Sequence, residues 1–325
     1  MQVVLPVAGF GSRMRPHTWS RPKPLLHVAG NTVLGHTLDK LAAIDVEEII
    51  FITGWLGDQI QAYVDSHYAF KTRYVVQEEM KGQAHAIHLA KEYLAGPCLV
   101  IFVDTLFEGN LGVLENNPAD GVIYVQEVED PRAFGVVIEE DGRVTRYVEK
   151  PDTLEHRKTT VGVFWFQDGQ ELVSAIDHML EHNIRTKGEY YLADAVNVMI
   201  ERGNRFVTEK VTVWQDCGQP ETILATNRFL LANGHATPSP KGENCIIVPP
   251  VYIAPSAQLC NSVIGPHVSI AEGAHVVSSV VRESIIEQGA RIQDSILENS
   301  LIGQRAVVKG QAAQLNIGDD AAIGI

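Results

Sequence analysis

The chain has 325 residues, of which 45% are hydrophobic and 20% charged, so it can bury a sizeable core and is long enough for two domains. Its net charge of −14 argues against a surface for nucleic acid or anionic membranes, because binding to either depends on many basic contacts. The sequence has neither an apolar run of the roughly 18 residues that span a bilayer nor a basic leader before its first apolar segment, and we therefore expect a cytoplasmic protein.

Apolar runs alternate regularly with amphipathic segments in the first third of the chain. The predicted strands cover residues 2–8, 48–53, 74–77 and 98–103, and the predicted helices cover residues 33–44, 56–67 and 83–94. This alternation indicates β-α-β units, and hence a mostly parallel sheet with helices on both faces. Ligands of such sheets bind where the strands have their carboxyl ends.

A glycine turn, Gly9-x-Gly11-x-Arg13, follows the first predicted strand. Bare backbone N–H groups in such a turn can surround a polyanion such as a triphosphate. Lys23 follows between two prolines, which predict a stiff, extended segment that presents its ammonium to one target. The turn lacks the third glycine of a dinucleotide-binding fingerprint and the Gly-Lys-Ser/Thr of an ATPase P-loop. A Gly-x-Gly pair alone is weak evidence, because most such pairs are plain turns.

Two polar side chains follow later strands of the predicted sheet. Asp104 closes a buried apolar run, where an aspartate is either a helix N-cap or a metal ligand. Gln77 has an amide that offers both a donor and an acceptor, which complements the O4 and N3–H edge of uracil or thymine. Asp216 precedes a predicted helix farther along the chain and has the same two interpretations as Asp104.

The sequence becomes strand-rich after residue 120, and these strands are predicted to form an insertion that covers one side of the ligand crevice. They cover residues 121–127, 135–139, 144–148 and 161–166. Glu149 and Lys150 end one of them. Glu149 can accept hydrogen bonds from sugar hydroxyls and Lys150 can pair with a phosphate, although an exposed Glu-Lys pair on a strand edge is the commoner explanation without further context.

The joint pattern of the glycine turn, Pro16-x-Thr18 and Pro22-Lys23-Pro24 resembles the signature of the sugar-1-phosphate nucleotidylyltransferases, which make nucleoside-diphosphate sugars. Later segments add to the resemblance. They are Glu149-Lys150-Pro151, the stretch Lys187-Gly-Glu-Tyr-Tyr-Leu-Ala-Asp194, and Trp214-Gln-Asp216-Cys-Gly218-Gln-Pro220-Glu221. The resemblance implies an α/β fold, in which a Rossmann-like nucleotidyltransferase domain has a mixed, mostly parallel sheet.

The resemblance also implies a role for each matched residue. The catalytic residues would be Arg13, Lys23, Asp104 and Asp216, and the two aspartates would hold Mg²⁺. The nucleotide would be bound by Leu5, Ala8, Gly9, Gly11, Arg13, Gln77 and Gly82, and the sugar phosphate by Gly135, Glu149, Lys150, Gly162 and Lys187. The chain departs from the family at Val103, where a glycine is usual, and at Ala193, where a threonine is usual.

The implied substrates are dTTP or UTP and a sugar 1-phosphate, and the sequence does not decide between the two nucleotides. Relatives that recognise an N-acetyl group often have Asn where this chain has Thr160, so glucose 1-phosphate is the first choice and the expected enzyme resembles a glucose-1-phosphate thymidylyltransferase. UDP-N-acetylglucosamine or UDP-glucose pyrophosphorylase activity is the alternative. A non-catalytic regulatory or scaffold subunit is the alternative of another class, but the signature lysine and both aspartates are present.

A different periodicity follows a segment at residues 235–250 that is rich in Pro, Gly and Ser and is predicted to be a linker. Aliphatic residues recur there at spacings of five or six that repeat every 16 residues. They are Ile270, Val276, Val281, Ile286, Ile292, Leu297, Ile302 and Val308, and Ile-Gly pairs recur at residues 264, 302 and 317. A three-sided coil produces this spacing, whereas a helix or hairpin does not. The pattern resembles the short left-handed parallel β-helix of hexapeptide-repeat proteins, here of about four coils.

We therefore predict a nucleotidyltransferase catalytic domain at residues 1–235, followed at 236–325 by a linker and the β-helix domain. Some relatives use such a β-helix for acetyl transfer, which needs a longer stack and a histidine base, and this one offers only His267 and His275. We expect instead that it holds a homo-oligomer together. The four cysteines lack a C-x-x-C spacing and are expected to be reduced thiols.

Overall fold

The computed structural model describes residues 1–310. The chain forms two compact units, one made of Met1–Leu26 and Asn31–Thr222, and the other of His27–Gly30 and the chain from Ile223 onward. The predicted division into two domains at residue 235 stays a prediction. Among the described residues, no helix combines the length and the apolar character that crossing a bilayer requires.

The structure follows the predicted alternation of strand and helix in the first third of the chain, and strands predominate from residue 105 to residue 166. The helices are α1 (Val33–Leu41), α2 (Gly57–His67), α3 (Gln83–His88), α4 (Gly169–Glu181), α5 (Leu192–Glu201) and α6 (Pro220–Leu230). The strands are β1 (Gln2–Pro6), β2 (His27–Val28), β3 (Asn31–Thr32), β4 (Glu48–Thr53), β5 (Thr72–Val76), β6 (Cys98–Ile101), β7 (Thr105–Glu108), β8 (Gly121–Glu127), β9 (Gly135–Glu140), β10 (Arg143–Glu149), β11 (Lys158–Phe166), β12 (Phe206–Lys210) and β13 (Val213–Asp216).

The main sheet of the first unit has the order β10-β9-β11-β6-β1-β4-β5, and β8 and β12 extend it beside β11. Strand β1 is parallel to β4 and β6, whereas β11 is antiparallel to its neighbours. The residues of β1 and β4 form continuous apolar runs because these central strands are buried on both faces. The predicted mixed, mostly parallel sheet is confirmed.

The helix predicted at residues 83–94 is shorter than expected. Helix α3 ends at His88, and a 3-10 turn at Lys91–Tyr93 follows it. The side-chain amide of Gln170 donates to the carbonyl oxygens of Lys91 and Leu94, so these groups are satisfied by a distant residue instead of a further helical turn.

The second unit contains three parallel sheets of four strands each, in the orders β14-β17-β20-β23, β15-β18-β21-β24 and β16-β19-β22-β25. These strands are β14 (Ile246–Ile247), β15 (Val251–Ile253), β16 (Gln258–Cys260), β17 (Val263–Ile264), β18 (Val268–Ile270), β19 (His275–Val277), β20 (Val280–Arg282), β21 (Ile285–Ile286), β22 (Arg291–Gln293), β23 (Ile296–Glu298), β24 (Leu301–Ile302) and β25 (Val307–Lys309). The arrangement fits a left-handed β-helix of four coils and confirms the predicted fold.

The coils explain the aliphatic and serine repeats of the sequence. Residues 270, 276, 281, 286 and 292 are buried in the core of the coil, and residues 297, 302 and 308 pack against it. The later coils have the predicted 16-residue period, as in the pairing of Val280 with Ile296. The first coils have 17 residues, as in the pairing of Ile246 with Val263. Serine hydroxyls accept from the next coil, as when Ser295 N donates to Ser279 Oγ at 3.1 Å.

The predicted linker at residues 235–250 is wrong in its last part. Strand β14 lies inside it and forms the first rung of the coil, because Ile246 N donates to Ser262 O at 2.9 Å. The Ile317-Gly318 pair falls outside the described residues. The four cysteines form no disulfide.

Candidate active site

A cleft of about 860 Å³ opens in the first unit beyond the carboxyl ends of β1 and β6. Ten of the residues singled out in the sequence line it: Gly9, Gly11, Arg13, Lys23, Asp104, Gly135, Glu149, Lys150, Gly162 and Asp216. These residues come from six separate parts of the chain, so the fold brings most of the predicted site together around one space.

The glycine turn forms one half of the cleft, which we call the nucleotide half (residues 9–24). Gly11 has a φ of +60°, and Thr18 Oγ1 donates to its carbonyl oxygen at 2.8 Å. A Cβ atom on Gly11 would lie 3.0 Å from both Lys23 Cβ and Thr18 Cγ2, so a side chain here would be crowded as well as held at an unfavourable positive φ. Arg13 is exposed at the start of the short 3-10 turn Ser12–Met14, where its guanidinium can reach an anion.

Lys23 lies at the start of a 3-10 turn, Lys23–Leu25, and the prediction of an extended segment at this position is wrong. Pro24 at the second position of the turn has a backbone angle that suits a helical turn and needs no N–H there. The lysine side chain is only 11% exposed, and its Nζ lies 3.5 Å from Asp104 Oδ2. The cation is therefore fixed beside the carboxylate in the floor of the cleft.

Asp104 and Asp216 come from neighbouring backbone segments. Strand β13 pairs with β7, opposing Asp216 to Thr105, and Cys217 N donates to Asp104 O at 2.9 Å. Asp216 Oδ1 also accepts from Gly218 N at 2.8 Å, which fixes the orientation of this carboxylate. Within residues 1–310, no group of three or more His, Cys, Asp or Glu side chains could hold a metal. Two carboxylates still fit Mg²⁺, which prefers a few oxygen ligands and fills its remaining positions with water and substrate phosphates.

The opposite half of the cleft, which we call the sugar-phosphate half, is built on β9, β10 and β11 and on the segment before α5. Glu149 pairs with Gly135 across β10 and β9, and Lys150 N donates to Phe134 O at 3.0 Å. The Glu149 side chain is 9% exposed, and its burial raises the pKa of the carboxyl despite the opposing effect of Lys150. Lys150 is 43% exposed, with its Nζ 3.8 Å from Glu149 Oε1, and is open to a substrate.

Lys187 does not line the cleft but lies beside this half of it. Its Nζ donates to Lys150 O at 3.2 Å, so the two predicted phosphate-binding lysines are neighbours. Lys187 and Gly188 occupy a two-residue turn in which Thr186 and Glu189 exchange hydrogen bonds at 3.1 Å. Glu189 at the end of this turn does line the cleft.

The structure does not bring four of the predicted nucleotide-binding residues to the cleft wall. Leu5 and Ala8 are buried, whereas Pro6 and Val7 between them line the cleft. Gln77 is buried, and its Nε2 lies 3.5 Å from Gly82 O and 3.4 Å from His85 Nδ1. Gly82 has a φ of +112°, and a Cβ atom there would lie 2.5 Å from Tyr190 O. The roles predicted for these residues stay predictions.

Several aromatic and polar residues line the cleft without a role predicted from the sequence. Phe134 and Trp214 meet edge to face, with ring centroids 4.7 Å apart. The hydroxyl groups of Tyr147 and Thr160 lie 3.1 Å apart, and Gln83 lies next to Gly82. Trp214 opens a recognised motif and Thr160 was considered for sugar specificity, so these two carried a signal. Phe134 and Gln83 are placed by the fold alone.

The chain matches the family model described as nucleotidyl transferase over residues 2–233. Agl11, a low-salt glycan biosynthesis nucleotidyltransferase of Haloferax volcanii, is 33% identical over 71% of this chain and 66% of its own length. The bifunctional protein GlmU of Methanococcus vannielii is 30% identical over 72% of this chain and 56% of its own length. The chain therefore spans a little over half the length of that relative.

Two solved structures share the fold over most of the chain. A UDP-glucose pyrophosphorylase in complex with UDP-glucose has a TM-score of 0.62 at 19% identity, covering 71% of this chain and 98% of that one. A putative glucose-1-phosphate thymidylyltransferase of Bacillus anthracis also has a TM-score of 0.62, at 23% identity, covering 74% of this chain and 98% of that one.

Proposed function

The chain belongs to the nucleotidyl transferase family, and from that premise we propose that it transfers a nucleotidyl group from dTTP or UTP to a sugar 1-phosphate. The observation that carries this proposal is the single cleft that gathers a glycine turn, four basic or acidic catalytic candidates and a Glu-Lys pair. Glucose 1-phosphate is the acceptor that we place first. The products would be a nucleoside-diphosphate sugar and pyrophosphate.

The proposed reaction is an in-line displacement. An oxygen of the sugar phosphate forms a bond to the α-phosphorus, while the bond from that phosphorus to the bridging oxygen breaks and the electron pair leaves with pyrophosphate. A phosphate monoester is already a nucleophile, so positioning and charge neutralisation supply the catalysis. A bound Mg²⁺, held by Asp104 and Asp216, would neutralise phosphate charge as the bond breaks.

The basic residues divide between the two substrates. Arg13 beside the glycine turn would bind the leaving pyrophosphate, and Lys150 and Lys187 would bind the sugar phosphate. Lys23, in the nucleotide half, would leave its ion pair with Asp104 to contact both reacting phosphates. Glu149 would accept hydrogen bonds from sugar hydroxyls. Its burial beside the lining residues Gly135 and Gly162 supports this assignment.

The choice of nucleotide and sugar rests on fewer residues. Gln77 favours a pyrimidine because its amide complements uracil or thymine, and one relative, AglF of Haloferax volcanii, is a UTP–glucose-1-phosphate uridylyltransferase. It is 29% identical over 68% of this chain and 93% of its own length. Production of UDP-N-acetylglucosamine or UDP-glucose is the alternative within the class. Agl11 and AglF are both named as transferases, which favours an enzyme over a regulatory subunit.

A pyrophosphate-release panel tests the proposal. It combines UTP, dTTP, ATP and GTP with glucose 1-phosphate and N-acetylglucosamine 1-phosphate, in Mg²⁺ and in chelator. We expect release with a pyrimidine nucleotide and glucose 1-phosphate, in Mg²⁺ only. Preference for a purine nucleotide would reject the assigned role of Gln77, and no release with any pair would reject the function.

We also propose that the catalytic domain comprises residues 1–235 and that the β-helix beyond it holds a homo-oligomer together. One side of the coil has an aliphatic residue facing outward on every rung, namely Ile246, Val263, Val280 and Ile296. Ile296 is 82% exposed, and such a row is a suitable self-association surface.

We expect Ile296→Glu to shift the sedimentation-equilibrium mass toward the monomer, whereas Lys309→Glu, on another side of the coil, should not. A wild-type monomer at all concentrations would contradict this proposal.

A further inference from the structure

Helix α5 carries two polar side chains, Asp194 and Asn197, that are three residues apart and therefore lie on one face of the helix. Each of them binds a different segment of the sugar-phosphate half. Asn197 binds the strand that leads to Lys150, and Asp194 binds the turn that holds Lys187. One rigid element is thus in contact with both supports of the predicted phosphate site.

Asn197 takes the place of a missing strand. Strand β10 is last in the order of the main sheet and pairs only with β9 along that order, so among the described residues no second strand pairs with its outer edge. Tyr147 N donates to Asn197 Oδ1 at 2.9 Å, and Asn197 Nδ2 donates to Tyr147 O at 2.8 Å. The single side chain satisfies both groups of Tyr147, two residues before Glu149.

Asp194 binds the turn that contains Lys187, although burial of its carboxylate is energetically unfavourable. Thr186 Oγ1 donates to Asp194 Oδ1 at 2.9 Å, immediately before Lys187. The other carboxylate oxygen, Oδ2, is buried without a hydrogen-bond partner among the described residues, which is unfavourable for a carboxylate. The hydrogen bond from Thr186 thus connects this buried carboxylate of α5 to the turn that contains Lys187.

Both lysines need such support because their backbones are strained. Lys150 has a φ of +47° and Lys187 a φ of +51°, and they are the two lysines with positive φ among the described residues. The left-handed region is unfavourable for a residue with a Cβ atom, so such a residue persists there only where its surroundings enforce it. The strained positions of the two lysines coincide with the two segments that α5 binds.

We propose that Asp194 and Asn197 are positioning residues, which use α5 to hold Lys150 and Lys187 at the spacing required by one phosphate group. The inference rests on the proposed function, since it takes the sugar phosphate as the group that both lysines bind. Neither Asp194 nor Asn197 lines the cleft. Their effect therefore acts on the sugar phosphate through the two lysines and leaves the nucleotide half unchanged.

The test measures the KM of each substrate, with UTP and glucose 1-phosphate as probes. We expect Asn197→Ala and Thr186→Val each to raise the KM for glucose 1-phosphate about tenfold, because a small displacement of a charged group weakens phosphate binding strongly. The KM for UTP should stay within about twofold of the wild type. Thr186→Ser keeps the hydroxyl and should behave as the wild type, which separates the hydrogen bond from a packing effect.

Two outcomes would overturn the inference: an unchanged KM for glucose 1-phosphate in both variants, or an equal rise in both KM values. Amide hydrogen exchange gives a readout that needs no activity. In Asn197→Ala, exchange should become faster at residues 147–150 and stay unchanged at residues 9–24, and unchanged exchange at 147–150 would also reject the positioning role of Asn197. A wild-type protein without transfer activity would reject the proposed function instead, and the exchange experiment would still decide the structural part.

Discussion

The two halves of the cleft are built in different ways. The nucleotide half comes from one continuous segment, and its defining contacts are short in sequence, such as the hydrogen bond from Thr18 to Gly11, seven residues away. The sugar-phosphate half is assembled from separate strands and the segment before α5, and the bonds between Asn197 and Tyr147 span 50 residues. A short motif can specify the first half, but only the packed fold can form the second.

The halves also differ in how their cations are held. Lys23 is almost buried and already paired with Asp104, so it is fixed before any substrate arrives. Lys150 and Lys187 are more open and are held by their backbones, through hydrogen bonds from elsewhere in the unit. Changes in the nucleotide half should therefore act locally, whereas the sugar-phosphate half should be sensitive to residues outside the cleft.

The largest effect is expected at the proposed metal site, because a metal held there would act on both substrates of the cleft. Asp104→Asn removes a negative charge from the proposed Mg²⁺ site and should lower the rate of pyrophosphate release by roughly 10³-fold or more, because a metal held there would neutralise phosphate charge. Circular dichroism should show an intact fold. Asp58→Asn, an exposed change in the first turn of α2, is the matched control and should keep the wild-type rate. A near-normal rate for Asp104→Asn would reject the metal assignment.

A smaller effect is expected in the nucleotide half, where a substitution should change the KM for the nucleotide and leave the KM for the sugar phosphate nearly unchanged. Gly11→Ala forces a Cβ atom against Lys23 and Thr18 at a positive φ, and we expect a cost of about 1–2 kcal/mol in the free energy of unfolding. The KM for the nucleotide should rise about tenfold or more while the KM for the sugar phosphate changes little.

Gly9→Ala is the control for the stability part of this prediction. A Cβ atom on Gly9 has nothing within 4 Å, so the free energy of unfolding should change by less than about 0.5 kcal/mol. Equal losses of stability in the two variants, measured by thermal or denaturant unfolding, would contradict the steric argument for Gly11.

The smallest effect is expected at Glu149 and has two parts. Glu149→Gln should raise the KM for the sugar phosphate by about threefold to tenfold, since the amide keeps one acceptor oxygen but loses the charge. The KM for the nucleotide should not change. A similar rise in both KM values would remove the distinction between the two halves.

The second part of the Glu149 prediction concerns stability and its pH dependence. Burial raises the pKa of Glu149 above that of the unfolded chain, so the folded state holds the proton more tightly and wild-type stability declines as pH rises through the raised pKa. Glutamine avoids this loss, and the variant should be the more stable protein at neutral pH. Its advantage should vanish below about pH 4, where the wild-type carboxyl is protonated in both states. An advantage that does not change with pH, measured by thermal unfolding, would contradict the assigned cause.

The catalytic candidates with strong sequence signals are those that lie at strand ends. Arg13 and Asp104 follow the apolar runs of β1 and β6, and parallel strands place their carboxyl ends at one edge of a sheet. Gln77 follows β5 in the same way, but the fold turns its amide toward Gly82 and His85. Position along the chain predicts the edge at which a residue lies, and it does not predict the direction of the side chain.

At Lys23 and in the predicted linker, long-range contacts decide the backbone conformation, and local preferences alone predict it wrongly. The prolines around Lys23 restrict its neighbours, but the same restriction suits an extended chain and a 3-10 turn, and packing selects the turn. Strand β14 lies in a segment rich in Pro and Gly, and it becomes a strand because Ser262 in the next coil accepts its backbone N–H.

The sequence by itself determined the family signature, the alternation of strands and helices, the aliphatic period of the β-helix and the residue types that a nucleotidyl transfer requires. These features depend on residue identity and on spacings within a few turns or strands, which the chain states directly. The tertiary structure decided that Lys187 is a neighbour of Lys150, that Lys23 is paired with Asp104, and that α5 supports both phosphate-binding segments. Those contacts depend on how segments distant in the sequence pack against each other. The local conformational preferences of the residues involved do not specify that packing.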